Sequence, residues 1–60
     1  MATDHYGNVV GVGDVVTNVG TSPEFTVTEV SGEMLKLAGW HADGTPAIQT
    51  RVQSSNVIVK

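Results

Sequence analysis

Polar and apolar residues alternate through the middle of the chain in the way that is typical of β-strands. In residues 24–30, Phe25 and Val27 alternate with threonines, and in residues 34–40 two leucines lie two positions apart. A period of two places such side chains on one face of a pleated strand. The pattern predicts a β-hairpin whose buried face carries Phe25, Val27, Leu35 and Leu37.

Two glycines, and one valine that falls outside the alternation, indicate where this hairpin turns or bends. Gly32 lies in the short connection between the strands, where glycine readily adopts the positive φ that tight hairpin turns require. Val30 breaks the alternation, which predicts a β-bulge or a corner. Gly39 permits a close approach or a bend just before Trp40.

The pattern predicts three further strands, at residues 12–18, 47–53 and 57–59. Val16 is expected to face inward. In the fourth strand Ile48 and Val52 fall on the same face, which predicts a half-buried strand. Ser54-Ser55-Asn56 is too short for an α-helix but suits one 3₁₀ turn.

No segment repeats apolar residues at helical spacing over the length that a helix needs. Five short antiparallel strands, with a 3₁₀ turn before the last, describe a small SH3-like barrel. Closing the sheet would also remove exposed strand edges. We expect a loose N-terminal arm over residues 1–8 and one barrel domain over residues 9–60.

Composition narrows the possible functions. The 60 residues include no cysteine, and six acids outnumber three Lys and Arg, for a net charge of −3. Nucleic-acid binders cluster Lys and Arg against phosphates, so the charge argues against that class. No apolar run approaches 18 residues, and the N-terminus lacks the pattern of a secretory signal. We expect no membrane contact and a cytoplasmic protein, in a bacterium or in an infected host cell.

Several motifs along residues 12–59 match a known family pattern. They are Gly13-Asp14-Val15-Val16, residues 22–30 from Ser22-Pro23 onward, Trp40 followed by Asp43-Gly44, and the closing Asn56-Val57. Together they resemble the YodC-like bacterial proteins, whose pattern runs Gly-Asp-Val-Val, a Pro loop, Met-Thr-Val and Trp-Phe-Asp. The resemblance implies an SH3-like fold and brings no established activity. The chain departs from the pattern where His41-Ala42 replaces the phenylalanine expected after the tryptophan.

A second comparison is with the plasmid-borne type B dihydrofolate reductases, which are tetrameric SH3-like barrels. The segment from Gly11 to Val16 looks similar, and a strand followed by a 3₁₀ turn recurs at residues 48–57. That family's active strand carries Val-Gln-Ile-Tyr, whereas this chain has Val52-Gln53-Ser54-Ser55. Its basic residues before the tryptophan loop have no counterpart here.

Candidate catalytic and metal-binding residues are sparse. His5 beside Asp4, and His41 near Asp43, are the only histidine–carboxylate neighbours, and their spacing presets no metal site. Acid–base catalysis needs a carboxylate in an apolar pocket or a close pair of carboxylates, and neither can be identified. We expect a protein that is not an enzyme and that binds no metal or cofactor.

Two surfaces are candidates for contact with other molecules. One is an end of the barrel where an aromatic groove could hold a peptide; its residues are Trp40, Tyr6, His41 and Pro46. Trp40 has two interpretations, a core plug or a contact residue, and the core plug is favoured. The other surface carries apolar side chains opposite the predicted core, which favours self-association; its residues are Val9, Val10, Met34 and Ile58.

The leading hypothesis is therefore a small binding or scaffolding module that acts through protein–protein contacts or as a homo-oligomer. A nucleic-acid-associated SH3-like module and a reductase-like enzyme are the alternatives. DNA or RNA titration would test the first alternative, and binding of dihydrofolate and NADPH the second.

Overall fold

The computed structural model describes residues 1–60 and contains five β-strands and no α-helix. The strands are β1 (Val15–Asn18), β2 (Glu24–Ser31), β3 (Met34–Trp40), β4 (Pro46–Gln53) and β5 (Val57–Val59), with a 3₁₀ turn at Ser54–Asn56. They form one antiparallel sheet in the order β4-β3-β2-β1-β5. The predicted all-β fold with a 3₁₀ turn before the last strand is confirmed. No helix of the length and apolarity needed to span a membrane is present.

The β2–β3 hairpin supplies most of the core, as its alternation predicts. Gly32 has a φ of 61° at the first position of the two-residue turn, which is the requirement of a type II′ hairpin turn. Five of the side chains predicted to face inward are buried. They are Val16, Phe25, Val27, Leu35 and Leu37.

The sheet curls so that strands far apart in its order approach each other. The Asn18 side-chain amide on β1 donates a hydrogen bond of 3.2 Å to Oε1 of Gln49 on β4. Two strands separate β1 from β4 in the sheet, so a flat sheet would keep these side chains apart. No ladder joins the two outer strands, β4 and β5. Closure into a barrel therefore stays a prediction.

The two strands that flank β3 each contain a bulge, and both bulges lie opposite Lys36 in the middle of β3. In β2 the register shifts after Val27, and in β4 it shifts opposite the step from Leu35 to Leu37. Each flanking strand thus has one extra residue, and each presents two consecutive exposed residues there. The break that Val30 predicts in β2 is confirmed. The exposed pairs are Thr28-Glu29 in β2 and Thr50-Arg51 in β4; we call this level of the sheet the double bulge.

The N-terminal arm, which was expected to be loose over residues 1–8, is instead a packed hairpin. Val10 N–H donates to the Ala2 carbonyl at 2.9 Å, and both side chains lie in the core. The Asp4 side chain is only 4% exposed. Its Oδ2 accepts the Val59 N–H at 2.9 Å, and the His5 N–H donates to the Val57 carbonyl at 2.8 Å. The arm therefore covers the outer edge of β5.

The outer edge of β4 is protected in a different way. No backbone hydrogen bond reaches it beyond the ladder with β3. Pro46 at its start, the bulge and the charged Arg51 are devices that discourage pairing with another strand. A partner of β4 is thus expected to meet its side chains rather than to extend the sheet.

Candidate binding surface

Trp40 is on the surface of the molecule, so the favoured interpretation of it as a core plug is wrong. Its side chain is 69% exposed at the end of β3. The neighbouring Gly39 faces inward, and a Cβ built there would lie 2.6 Å from Cδ2 of Phe25. Phe25 thus occupies the space beneath Gly39, and the alternation of the strand turns Trp40 outward.

Exposed apolar side chains surround Trp40 on the outer face of β3 and β4. Pro46 is the register partner of Trp40, and Ile48 is the partner of Ala38. Trp40 and Ile48 are therefore diagonal cross-strand neighbours, close enough for a large aromatic side chain to make contact. Ile48 is 63% exposed. We call Trp40, Pro46, Ile48 and the half-buried Ala38 the Trp40 patch.

Ile48 was expected to share the face of Val52, and this was wrong. The bulge in β4 adds one residue between them, so the two side chains point to opposite faces. Ala47 and Gln49 take the inward positions instead, and the Asn18 amide satisfies the Gln49 side chain. The bulge is thus the reason that an isoleucine lies beside Trp40 on the surface.

The other residues of the predicted aromatic groove are divided between two places. His41 follows Trp40 and begins a loop that is closed by a backbone hydrogen bond. The His41 N–H donates to the Thr45 carbonyl at 2.8 Å. Tyr6 is 71% exposed on the N-terminal arm, where its ring meets the His5 ring edge-on at 5.1 Å. The structure therefore brings Trp40, His41 and Pro46 together and pairs Tyr6 with a different residue.

The residues predicted for self-association do not form one exposed face. Val10 was expected to face outward, but it is 3% exposed because the N-terminal hairpin turns it into the core. Ile58 is half-buried on β5, while Val9 and Met34 are exposed on the arm and on β3 respectively. Self-association itself stays a prediction.

Two aspartates hold ordered backbone around themselves. Hydrogen bonds from the Val59 N–H, then from Asn8 and Tyr6, lower the pKa of Asp4 to about 2, although burial acts in the opposite direction. The Thr45 hydroxyl and then its N–H lower the pKa of Asp43 in the loop after Trp40. Both carboxylates act as acceptors that fix a turn. No group of three or more metal-ligating side chains comes together.

A cleft of about 270 Å³ opens at the double bulge, at the other end of the same outer face. Arg51 lines it with a φ of 57°, the only positive φ outside glycine. Such a left-handed backbone costs about 1 kcal/mol for a side chain with a Cβ. Lys36 pairs with Glu29 at 3.4 Å and Lys60 with Glu24 at 3.4 Å, whereas Arg51 has no acidic partner. Nothing in the alternating pattern indicates the backbone conformation of Arg51.

Fold and surface together define a small single-sheet β-domain with an exposed aromatic patch. Comparisons with protein-family models, with curated proteins and with solved structures find no match to the chain.

Proposed function

We propose that this protein is a small, non-catalytic binding module that contacts a protein partner through the Trp40 patch. The observation that carries the proposal is the exposure of the chain's only tryptophan beside an exposed isoleucine, on two paired strands. Tryptophan is enriched among the residues that supply most of the binding energy of interfaces. Covering roughly 150 Å² of its exposed surface is worth about 4 kcal/mol before the costs of association.

The size of the molecule limits the kind of partner. A standard protein–protein interface takes about 800 Å² from each partner, which is about a fifth of this chain's 3842 Å². The Trp40 patch holds four residues and is smaller than that. A short extended segment of a partner therefore suits the patch better than a second globular surface, and affinities in the micromolar range are expected for such small contacts.

Peptides selected from a random library by the folded protein test this proposal. We expect them to share a large apolar residue and to bind the Trp40→Thr variant at least about tenfold more weakly, because the anchor is lost. Anisotropy of a labelled peptide measures this affinity. Val12→Thr, which changes an exposed valine outside the patch, is the matched control and should bind as the wild type does.

Failure has a clear form in this experiment. If no peptide family is enriched, or if Trp40→Thr binds as tightly as Val12→Thr, the Trp40 patch is not the contact surface. A second copy of the chain is the other possible occupant of the patch. Sedimentation at increasing concentration detects it as a species heavier than the 6.3 kDa monomer that Trp40→Thr abolishes.

A further inference from the structure

The cleft at the double bulge is positively charged in a chain that is acidic as a whole. Its charged lining residues are Glu29, Lys36 and Arg51, which sum to +1 in a chain of net charge −3. Glu29 is engaged with Lys36. Of the three Lys and Arg residues of the chain, Arg51 is therefore the one that lacks an acidic partner, and it lines this cleft.

An arginine is unexpected at position 51 because of the backbone conformation there. A left-handed conformation favours glycine or asparagine, and no interaction with an acidic side chain repays the strain of arginine there. Protecting the edge of β4 accounts for the bulge and for a charge at this position, but it does not require an arginine in a left-handed conformation. Bulges often re-aim a side chain next to a binding site. Here Arg51 lines the cleft together with two hydroxyl residues, Ser31 and Thr50.

The chemistry of the cleft selects one kind of ligand. Arginine presents several N–H donors in a fork that matches a carboxylate in two places, and neighbouring hydroxyls can donate further hydrogen bonds. A phosphate, with its larger charge, generally gathers several cations. In this cleft one of the two cations is already held by Glu29. A single carboxylate is the better match.

We propose that the cleft at Arg51 is a carboxylate-binding subsite that receives an acidic side chain of the segment bound at the Trp40 patch. This inference rests on the proposed function for the identity of the partner. Ile48 and Arg51 are three residues apart on β4, a separation of roughly 10 Å in extended chain. An extended segment on the same outer face therefore carries its acidic residue two to four positions from its large apolar residue.

Titration with N-acetyl-glutamate whose α-carboxyl group is blocked as a methylamide, so that the side chain supplies the only carboxylate, tests the subsite without a known partner. The titration is followed by NMR of the ¹⁵N-labelled protein at constant ionic strength. We expect saturable shifts of the Arg51 Nε–H resonance and of the Thr50 and Lys36 amides. N-acetyl-glutamine blocked in the same way carries no carboxylate and should shift them at least fivefold less. Arg51→Gln should abolish the response, and Arg51→Lys should weaken it, because lysine keeps the charge but lacks the fork. Lys60→Gln, which removes an exposed cation elsewhere, is the matched control.

The proposal is overturned if the two N-acetyl amino acids act equally, if the Lys60 resonances respond as strongly as those of Arg51, or if inorganic phosphate shifts Arg51 more than the carboxylate does. Peptide selection then separates this result from the proposed function. Selection by the Arg51→Gln variant should keep the apolar preference and lose the acidic one. Trp40→Thr should lose the apolar preference and keep the N-acetyl-glutamate response. The peptide selection therefore tests the Trp40 patch, and the titration tests the carboxylate subsite.

Discussion

An Asp4→Asn variant will melt at a clearly lower temperature than the wild type at pH 7. Each carboxylate oxygen of Asp4 accepts two hydrogen bonds, from the Tyr6 and Asn8 N–H groups and from the Val59 N–H and the Asn8 side chain. An asparagine replaces one oxygen with an NH₂ group, so two donors face another donor in a buried site. We expect the arm to leave the edge of β5 and to take Val10 out of the core.

The effect of Asp4 on stability depends on pH in a defined direction. Folding lowers the pKa of this carboxyl from 3.8 to about 2, so the unfolded chain binds its proton first as the pH falls. The stabilisation is complete above the unfolded pKa and is lost as the pH falls from about 5 to 2. The difference in melting temperature between Asp4→Asn and the wild type should therefore shrink over that range.

Thermal melts followed by far-UV circular dichroism at pH 7 and at pH 2 measure this difference. Asp43→Asn is the matched control, since Asp43 accepts exposed hydrogen bonds from Thr45 within its own loop. Its melting temperature should change less than that of Asp4→Asn at pH 7. Equal effects of the two substitutions, or a difference for Asp4→Asn that is as large at pH 2 as at pH 7, would contradict the role assigned to the arm.

Gly39→Ala will cost about 3 kcal/mol of unfolding free energy, at the upper end of the penalty for overpacking a core. The new Cβ would lie 2.6 and 2.9 Å from two carbons of the Phe25 ring and 3.1 Å from the Glu24 carbonyl oxygen. The ring or the backbone must move. A domain of this length has roughly 3–9 kcal/mol of stability in total, so much of it would be lost. Urea unfolding followed by far-UV circular dichroism measures the loss.

A double-mutant cycle shows whether the Phe25 ring is the cause. Phe25→Leu removes Cε2 of the ring and leaves smaller methyl groups that can rotate away from the new methyl group, so the Gly39→Ala penalty should be smaller by about 1 kcal/mol or more in that background. Additive losses would mean that the substitution acts on the backbone of β3 and not on the ring. This cycle also tests the inward position of Gly39, which sets the outward position of Trp40.

Much of the sheet could be predicted because its inner strands obey the alternation. Phe25 and Val27 in β2, and the two leucines of β3, mark the buried face directly in the sequence. The same alternation assigns Gly39 inward and Trp40 outward. The core-plug interpretation instead rested on the general tendency of aromatic side chains to be buried, and the position of Trp40 in the strand prevailed over that tendency.

The features that the sequence did not predict depend on long-range or conformational facts. Asp4 meets Val59 across 55 positions, so no local pattern reports that contact. The phase of β4 reverses at Arg51 because its backbone is left-handed, and the usual sequence signals for that conformation are glycine and asparagine. Without the bulge Ile48 is assigned inward, and the Trp40 patch cannot be recognised.

The central claim is that Trp40 lies exposed on the outer face and is free to bind. Fluorescence of this single tryptophan, in dilute protein before and after unfolding in urea, tests it most directly. We predict that the native emission maximum lies close to that of N-acetyl-tryptophanamide in the same buffer, and that acrylamide quenches the native and the unfolded protein to a similar extent. A native emission shifted strongly to the blue, with quenching that appears only on unfolding, would place Trp40 in the core and contradict the account.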